Sequence, residues 1–110
     1  MDERRQFERV RIPEYAKLYV TDENGVRVGA LQMLGRGGML IASGKQLKLG
    51  DIARLVIIDE AERIRCHVEG TVRYNSDANI GVEFQNLQAD SAVEIGVIIG
   101  KYYAAAATQQ

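Results

Sequence analysis

IRCHVEGTVRY, residues Ile64 to Tyr74, is the clearest structural signal in this chain. Apolar and polar residues alternate along it with a period of two, which is typical of a β-strand with one buried face. The set predicted to face the core is Ile64, Cys66, Val68, Val72 and Tyr74, and the opposite set is Arg65, His67, Glu69, Thr71 and Arg73. The pattern therefore predicts a long strand that packs on a core with one side.

Shorter segments of the same kind lie on both sides of this strand. They are Val10 to Val20 (interrupted by Pro13), Val26 to Leu34, Met39 to Ala42, Ile52 to Ile58 and Ile80 to Phe84. Pro13 predicts an edge position or a bulge, because proline cannot donate to a strand ladder. Asp22 to Gly25 reads as a tight turn, since Asn-Gly tolerates positive φ. About six strands without helices between them predict an all-β fold, a six-stranded antiparallel barrel.

The C-terminal part changes character and predicts an α-helix at about Asp90 to Ala106. Asp90 and Ser91 are suited to cap it, and Glu94 is placed to complete a capping pattern. The apolar residues spread over a wide arc: Ile95, Ile98, Ile99, Tyr102 and Tyr103. We therefore expect a homodimer through this helix. Gly96 and Gly100 either pack on the barrel or form a close helix contact in that dimer.

Composition narrows the class of protein. The 110 residues, 46% of them hydrophobic, suit a single domain over positions 1–110. A net charge of −1 argues against a partner such as DNA or RNA that is held by broad phosphate neutralisation. One cysteine fits a reducing, cytoplasmic location. We expect no membrane insertion, because no apolar stretch reaches about 20 residues.

Catalysis finds little support in the sequence, and we expect no enzyme and no cofactor. His67 is the single histidine and follows the single cysteine, Cys66. Neighbouring strand residues point to opposite faces, so these two side chains do not converge on a substrate or a metal ion.

Arg5 and Arg9 stand four residues apart before the first predicted strand, and Met33-Leu34-Gly35-Arg36-Gly37-Gly38 forms a Gly-rich turn further on. This arrangement resembles the PilZ domain family of cyclic di-GMP receptors. That family carries an R-x-x-x-R motif near its N-terminus and a D/N-x-S-x-x-G motif later. The resemblance implies a PilZ-type β-barrel ending in a C-terminal helix. It also implies that the segment 1–9 is flexible and orders around cyclic di-GMP. The alternative for the two arginines is a solvated or ion-paired role with Glu3 or Glu8.

The first motif is intact and the second is degenerate. Met33 stands where the family has Asp or Asn, Gly35 stands where it has Ser, and Gly38 is kept. The resemblance implies a ligand-binding set of Arg4, Arg5, Arg9, Met33, Gly35, Arg36, Gly38 and Arg73. Two functions remain open. One is a receptor that couples cyclic di-GMP to an effector protein, with affinity weakened at Met33 and Gly35. The other is a PilZ domain that lacks the ligand and acts as a protein-interaction module.

Overall fold

A computed structural model of the chain describes residues 9–43 and 47–108, and antiparallel strands dominate it. The elements in chain order are β1 (Arg9–Arg11), a 3-10 turn (Glu14–Ala16), β2 (Tyr19–Asp22), β3 (Arg27–Gly35), β4 (Gly38–Ala42), β5 (Ile52–Asp59), β6 (Ile64–Asn75), β7 (Asn79–Phe84) and α1 (Ala89–Thr108). None of the helices in this described part is long and apolar enough to cross a bilayer.

Six of the strands close into a barrel. The order around it is β3-β2-β5-β6-β7-β4, and a β3–β4 pairing completes the ring. All pairs are antiparallel. Among the described strands, the extra strand β1 pairs only with β3, at residues 33–35, past the β2–β3 pairing that reaches Ala30. The predicted six-stranded antiparallel barrel with a C-terminal helix is confirmed, with one strand added to it.

The first predicted strand is divided in two. Pro13, in an extended conformation, precedes the 3-10 turn, and Lys17 ends that turn with a φ of 57°. The interruption moves the chain from β1 to β2, and both strands then pair with successive parts of β3. Because closure of the ring involves β2, β1 is an addition at one end of the barrel.

Residues of β6 follow the predicted alternation up to Val72. Cys66, Val68 and Val72 lie in the core, as predicted. Tyr74 was predicted on the same side, and this is wrong: its side chain is 51% exposed. The register shifts between Val72 and Tyr74, so Arg73 is an extra residue and the strand's facing inverts beyond it.

Helix α1 begins and ends close to its predicted bounds and packs on the barrel core. Ile95, Ile98, Ile99 and Tyr102 are all buried there, so the barrel of the same chain covers four of the five residues of the wide arc from which the homodimer was predicted. Ser91 lies inside the first turn rather than capping it, and its hydroxyl donates to the carbonyl oxygen of His67 at 2.6 Å.

The outward side of α1 keeps several apolar residues exposed. Val93 is 65% exposed, Val97 is 54% exposed and Tyr103 is 43% exposed. The homodimer stays a prediction, and its remaining basis is this narrower stripe.

Candidate ligand-binding face

Strand β1 brings the arginine segment beside the Gly-rich turn. Arg9 lies opposite Gly35 and Arg11 lies opposite Met33 in the β1–β3 register. Val10 between the two arginines is buried, whereas both arginines are exposed on the outer face of the barrel. The second arginine of the first motif and two positions of the second motif are therefore neighbours. Arg4 and Arg5 lie outside the described residues, as does most of the segment predicted to be flexible.

A bulge in β3 turns Met33 outward. Leu31 pairs with Ile41, but Met33 pairs with Leu40, so Gln32 is an extra residue in β3. Leu31 and Leu34 consequently both face the core, and Met33 is half-buried on the outer surface. A thioether, which is a weak acceptor, stands where the family motif has a carboxylate or an amide.

The kept motif glycine, Gly38, has a structural reason of its own. It begins β4 opposite Glu83 of β7. A Cβ atom placed there would overlap the carbonyl oxygen of Val82 and lie 3.4 Å from the Cα atom of Glu83. The neighbouring Gly37 is exposed and has open space around it. The close approach of β4 to β7 thus requires glycine at position 38, with or without a ligand.

Arg36 lies at the tip of the β3–β4 hairpin and reaches helix α1. Its Nη1 atom is 3.3 Å from the position that a Cβ atom on Gly96 would occupy. Gly96 therefore makes room for the guanidinium, while Gly100 has open space around it. The two glycines do not act as a pair, and the hairpin and the helix are in direct contact through Arg36.

Arg73 lies at the β6 bulge and is held by an ion pair. Its Nε donates to Oε1 of Glu83 at 2.6 Å, and both side chains remain more than half exposed. Since Glu83 is the register partner of Gly38, Arg73 borders the same band of surface as the hairpin. This band of the barrel runs across the neighbouring strands β1, β3, β4, β7 and β6. It contains every residue of the predicted ligand-binding set that the structure describes: Arg9, Met33, Gly35, Arg36, Gly38 and Arg73.

Sequence reasoning did not nominate four residues that lie in the same band of surface as Met33, namely Arg11, Leu40, Gly81 and Tyr74. Five residues stand side by side on the outer surface, one from each of these strands, and we name them the outer row: Arg11, Met33, Leu40, Gly81 and Tyr74. Arg11 had a detectable signal, because it lies two residues after Arg9 on the same strand face. Tyr74 did not, because its facing depends on the bulge at Arg73.

The structure does not bring the single histidine and the single cysteine together. His67 is exposed, whereas Cys66 is fully buried on the opposite face of β6. Burial raises the pKa of the Cys66 thiol to about 12, with a smaller contribution from the nearby Glu94 carboxylate. Nor does the part of the chain that the structure describes contain a group of three His, Cys, Asp or Glu residues able to hold a metal ion.

A match to a protein-family model identifies the family to which a chain with this barrel and this surface band belongs. The model described as PilZ domain matches residues 3–100. The chain belongs to the PilZ domain family. Among curated protein sequences, none is significantly similar to it.

Solved structures of other PilZ proteins share the fold of this PilZ domain. The PilZ domain of YcgR from Escherichia coli, solved with c-di-GMP, has a TM-score of 0.73 at 16% identity, with 92% of each chain covered. The MrkH–c-di-GMP complex of K. pneumonia has a TM-score of 0.74 at 14% identity, with 93% of this chain and 53% of MrkH covered. The inhibitor of motility MotI from Bacillus subtilis has a TM-score of 0.70 at 18% identity, with 98% and 53% covered. The chain thus spans about half the length of MrkH and MotI.

Proposed function

We propose that this PilZ domain is a receptor for cyclic di-GMP that couples ligand binding to a protein partner. One observation carries the proposal: Arg9 and Arg11 project from β1 directly opposite Gly35 and Met33 of the hairpin. The two arginines and the half-buried Met33 therefore share one surface on which a single ligand can rest, with Gly35 buried beside Arg9.

The chemistry of the arginines suits such a ligand. A guanidinium presents a planar fork of donors that matches a phosphate or the O6/N7 acceptor pair of guanine. Arg9 and Arg11 are both exposed, so neither guanidinium has to leave a buried position to meet a ligand. YcgR and MrkH were each solved with c-di-GMP, which supports the same ligand class for this relative.

The contact between Arg36 and helix α1 provides a route to a partner. A ligand seated beside Gly35 would lie next to the hairpin tip, whose guanidinium rests against Gly96. The exposed stripe at Val93 and Val97 is on the same helix. A partner docked on α1 would then sense whether the hairpin is occupied.

The degenerate motif favours a second function, a PilZ domain that acts as a protein-interaction module without the nucleotide. Met33 and Gly35 cannot supply the acceptor and the hydroxyl of the family motif. Losing one neutral hydrogen bond costs roughly 0.5–1.5 kcal/mol and one to a charged group about 1.5–3 kcal/mol. Together these losses weaken affinity on the order of thirty- to two-thousand-fold.

Calorimetry with cyclic di-GMP tests the receptor function. Arg9→Ala removes a charge-assisted contact and should weaken binding by roughly 10- to 150-fold. Arg54→Ala is the matched control, because Arg54 is an exposed arginine on β5, away from the band, paired with Glu23 at 3.6 Å. Equal effects of the two substitutions would argue for non-specific electrostatic attraction instead of a site.

A gain-of-binding variant separates the two functions. Met33→Asp with Gly35→Ser restores both family contacts, and we expect tighter binding by about 2–4 kcal/mol. Gly35 is buried and is not among the described glycines with positive φ, which are Gly25 and Gly50, so a serine there incurs no positive-φ strain. If the folded double variant and the natural chain both fail to bind, the site geometry has been lost as well as the contacts, which favours the interaction-module function over the receptor function.

A further inference from the structure

The outer row presents an apolar centre beside the arginines. Neighbouring strands lie roughly 4.8 Å apart, so Arg11 and Tyr74 stand about 19 Å apart along the barrel surface. Between them come the half-buried Met33 and Leu40, then Gly81. Tyr74 leans over Gly81: its Cβ and Cδ2 atoms lie 3.0 Å and 3.8 Å from the place where a Cβ on Gly81 would be. The row thus has an apolar surface formed by the side chains of Met33 and Leu40 and by the exposed ring of Tyr74.

The same row is poor in hydrogen-bond acceptors. An arginine donates only, a methionine sulfur accepts weakly, and leucine and glycine side chains contribute nothing. The neighbouring carboxylate on this face is Glu83, opposite Gly38, and its Oε1 already accepts the Nε of Arg73 at 2.6 Å. The donor edge of a guanine, its N1–H and N2–H₂ groups, therefore meets one side-chain acceptor along the row, the hydroxyl of Tyr74, which stands at the far end of the row from the arginines.

Given a cyclic dinucleotide as the ligand, which rests on the proposed function, we infer that the outer row holds one purine by its face instead of its edge. Met33, Leu40 and Tyr74 form the platform, and Arg9 and Arg11 hold the adjoining phosphates. Stacking on an aromatic side chain tolerates any base, because every base has a π-face. The site consequently distinguishes guanine from adenine only weakly, and its ligand class is cyclic dinucleotides with two purines.

Guanine and adenine differ in the hydrogen-bonding groups on their edges, for which the outer row offers few side-chain partners. Adenine keeps the N7 acceptor and replaces the O6 acceptor of guanine by an N6 donor, and it lacks the N2 donor. Contacts to phosphate are identical for both. A site built around edge hydrogen bonds can reject the wrong analogue by roughly 10⁴-fold, whereas for this platform we expect affinities for cyclic di-GMP and cyclic di-AMP within about tenfold of each other.

Titration of the full chain with cyclic di-GMP, cyclic di-AMP and cyclic di-UMP tests the inference. Tyr74→Ala should weaken binding of both purine ligands by roughly 5- to 150-fold, and Tyr74→Phe should preserve it. The matched control is Tyr15→Ala, since Tyr15 is 68% exposed and lies outside the row. Met33→Asp adds an acceptor and should raise the preference for guanine by at least tenfold. Cyclic di-UMP should bind most weakly, because a pyrimidine offers a smaller face.

Several outcomes would overturn the inference while leaving the receptor function intact. A preference for cyclic di-GMP above about a hundredfold would do so, and so would a Tyr74→Phe variant as weak as Tyr74→Ala. Loss of a guanine preference in Glu83→Leu, which removes both acceptor oxygens, would assign recognition of the guanine edge to that carboxylate. If the natural chain binds none of the three ligands, both the receptor function and the inference fail.

Discussion

Replacing Gly38 by alanine tests whether the kept motif glycine is structural. The added methyl group would overlap the Val82 carbonyl oxygen and touch the Glu83 Cα atom, both of which belong to the backbone of the paired strand β7. A flexible side chain could move away, but a paired strand has to shift as a unit. The amide of Phe84 also donates to the Gly37 carbonyl oxygen at 2.9 Å, so a shift would strain the end of the β4–β7 ladder.

We expect Gly38→Ala to destabilise the fold by about 3 kcal/mol, the upper end of the usual 1–3 kcal/mol for overpacking. In a domain of this size that corresponds to a fall in melting temperature of roughly 10–20 °C. Urea and thermal unfolding without ligand would measure it. Gly37→Ala is the control: it lies next in the chain, has open space around its Cβ position and is not among the described glycines with positive φ. It should be neutral or stabilising by up to about 1 kcal/mol.

Equal unfolding midpoints for the two variants would refute the reasoning, because they would mean that β4 and β7 do not approach closely at Gly38. The expected result also affects how binding data are read. Loss of ligand binding in a Gly38 variant would then reflect loss of the hairpin, and would carry no information about a contact between that glycine and the ligand.

Three further outcomes follow from the burial, charge and exposure of particular side chains. Burial raises the pKa of the Cys66 thiol from 9.0 to about 12, so the thiol ionises at lower pH in the unfolded chain and the free energy of unfolding falls as pH rises across that interval. Urea unfolding at alkaline pH should show a smaller fall in the Cys66→Val variant. The exposed Arg73–Glu83 pair should contribute less than about 1 kcal/mol, and a larger loss of unfolding free energy in Glu83→Gln would show that it supports the bulge. The exposed Val93 and Val97 should mediate a homodimer that sedimentation detects at high micromolar concentration and that Val97→Lys abolishes. A natural chain that sediments as a monomer at that concentration would refute the predicted homodimer.

The fold was predictable because the strongest patterns in the sequence are local. The alternation in Ile64 to Val72 sets which side of β6 is buried, and the apolar spacing after Asp90 marks the helix. Closure of the barrel was predictable as a class, from the number of strands and the absence of helices between them. The division of the first strand was only partly predictable: Pro13 signalled an interruption, but the 3-10 turn that it introduces was not expected.

The candidate site was harder to predict, because it depends on pairing between distant residues. The extra residues Gln32 and Arg73 each shift a register, and a shift of one residue moves every later side chain to the other face. Period-two reasoning therefore placed Tyr74 inside the barrel. The pairing of Arg11 with Met33 is equally invisible in a sequence, since nothing local specifies which part of β3 receives β1.

Because β1 lies outside the closed ring, it can open locally, and this local opening is distinct from unfolding of the whole barrel. Strand β1 is three residues long and, within the described part of the chain, pairs only with β3, so it can detach while all six barrel strands stay paired. What opposes this detachment within β1 itself is chiefly the burial of Val10. Amide hydrogen exchange at β1 should therefore report a local free energy of opening, lower than that of β5 and β6, whose amides exchange when the whole domain unfolds. A ligand held by Arg9 and Arg11 would slow exchange at β1 far more than in the barrel.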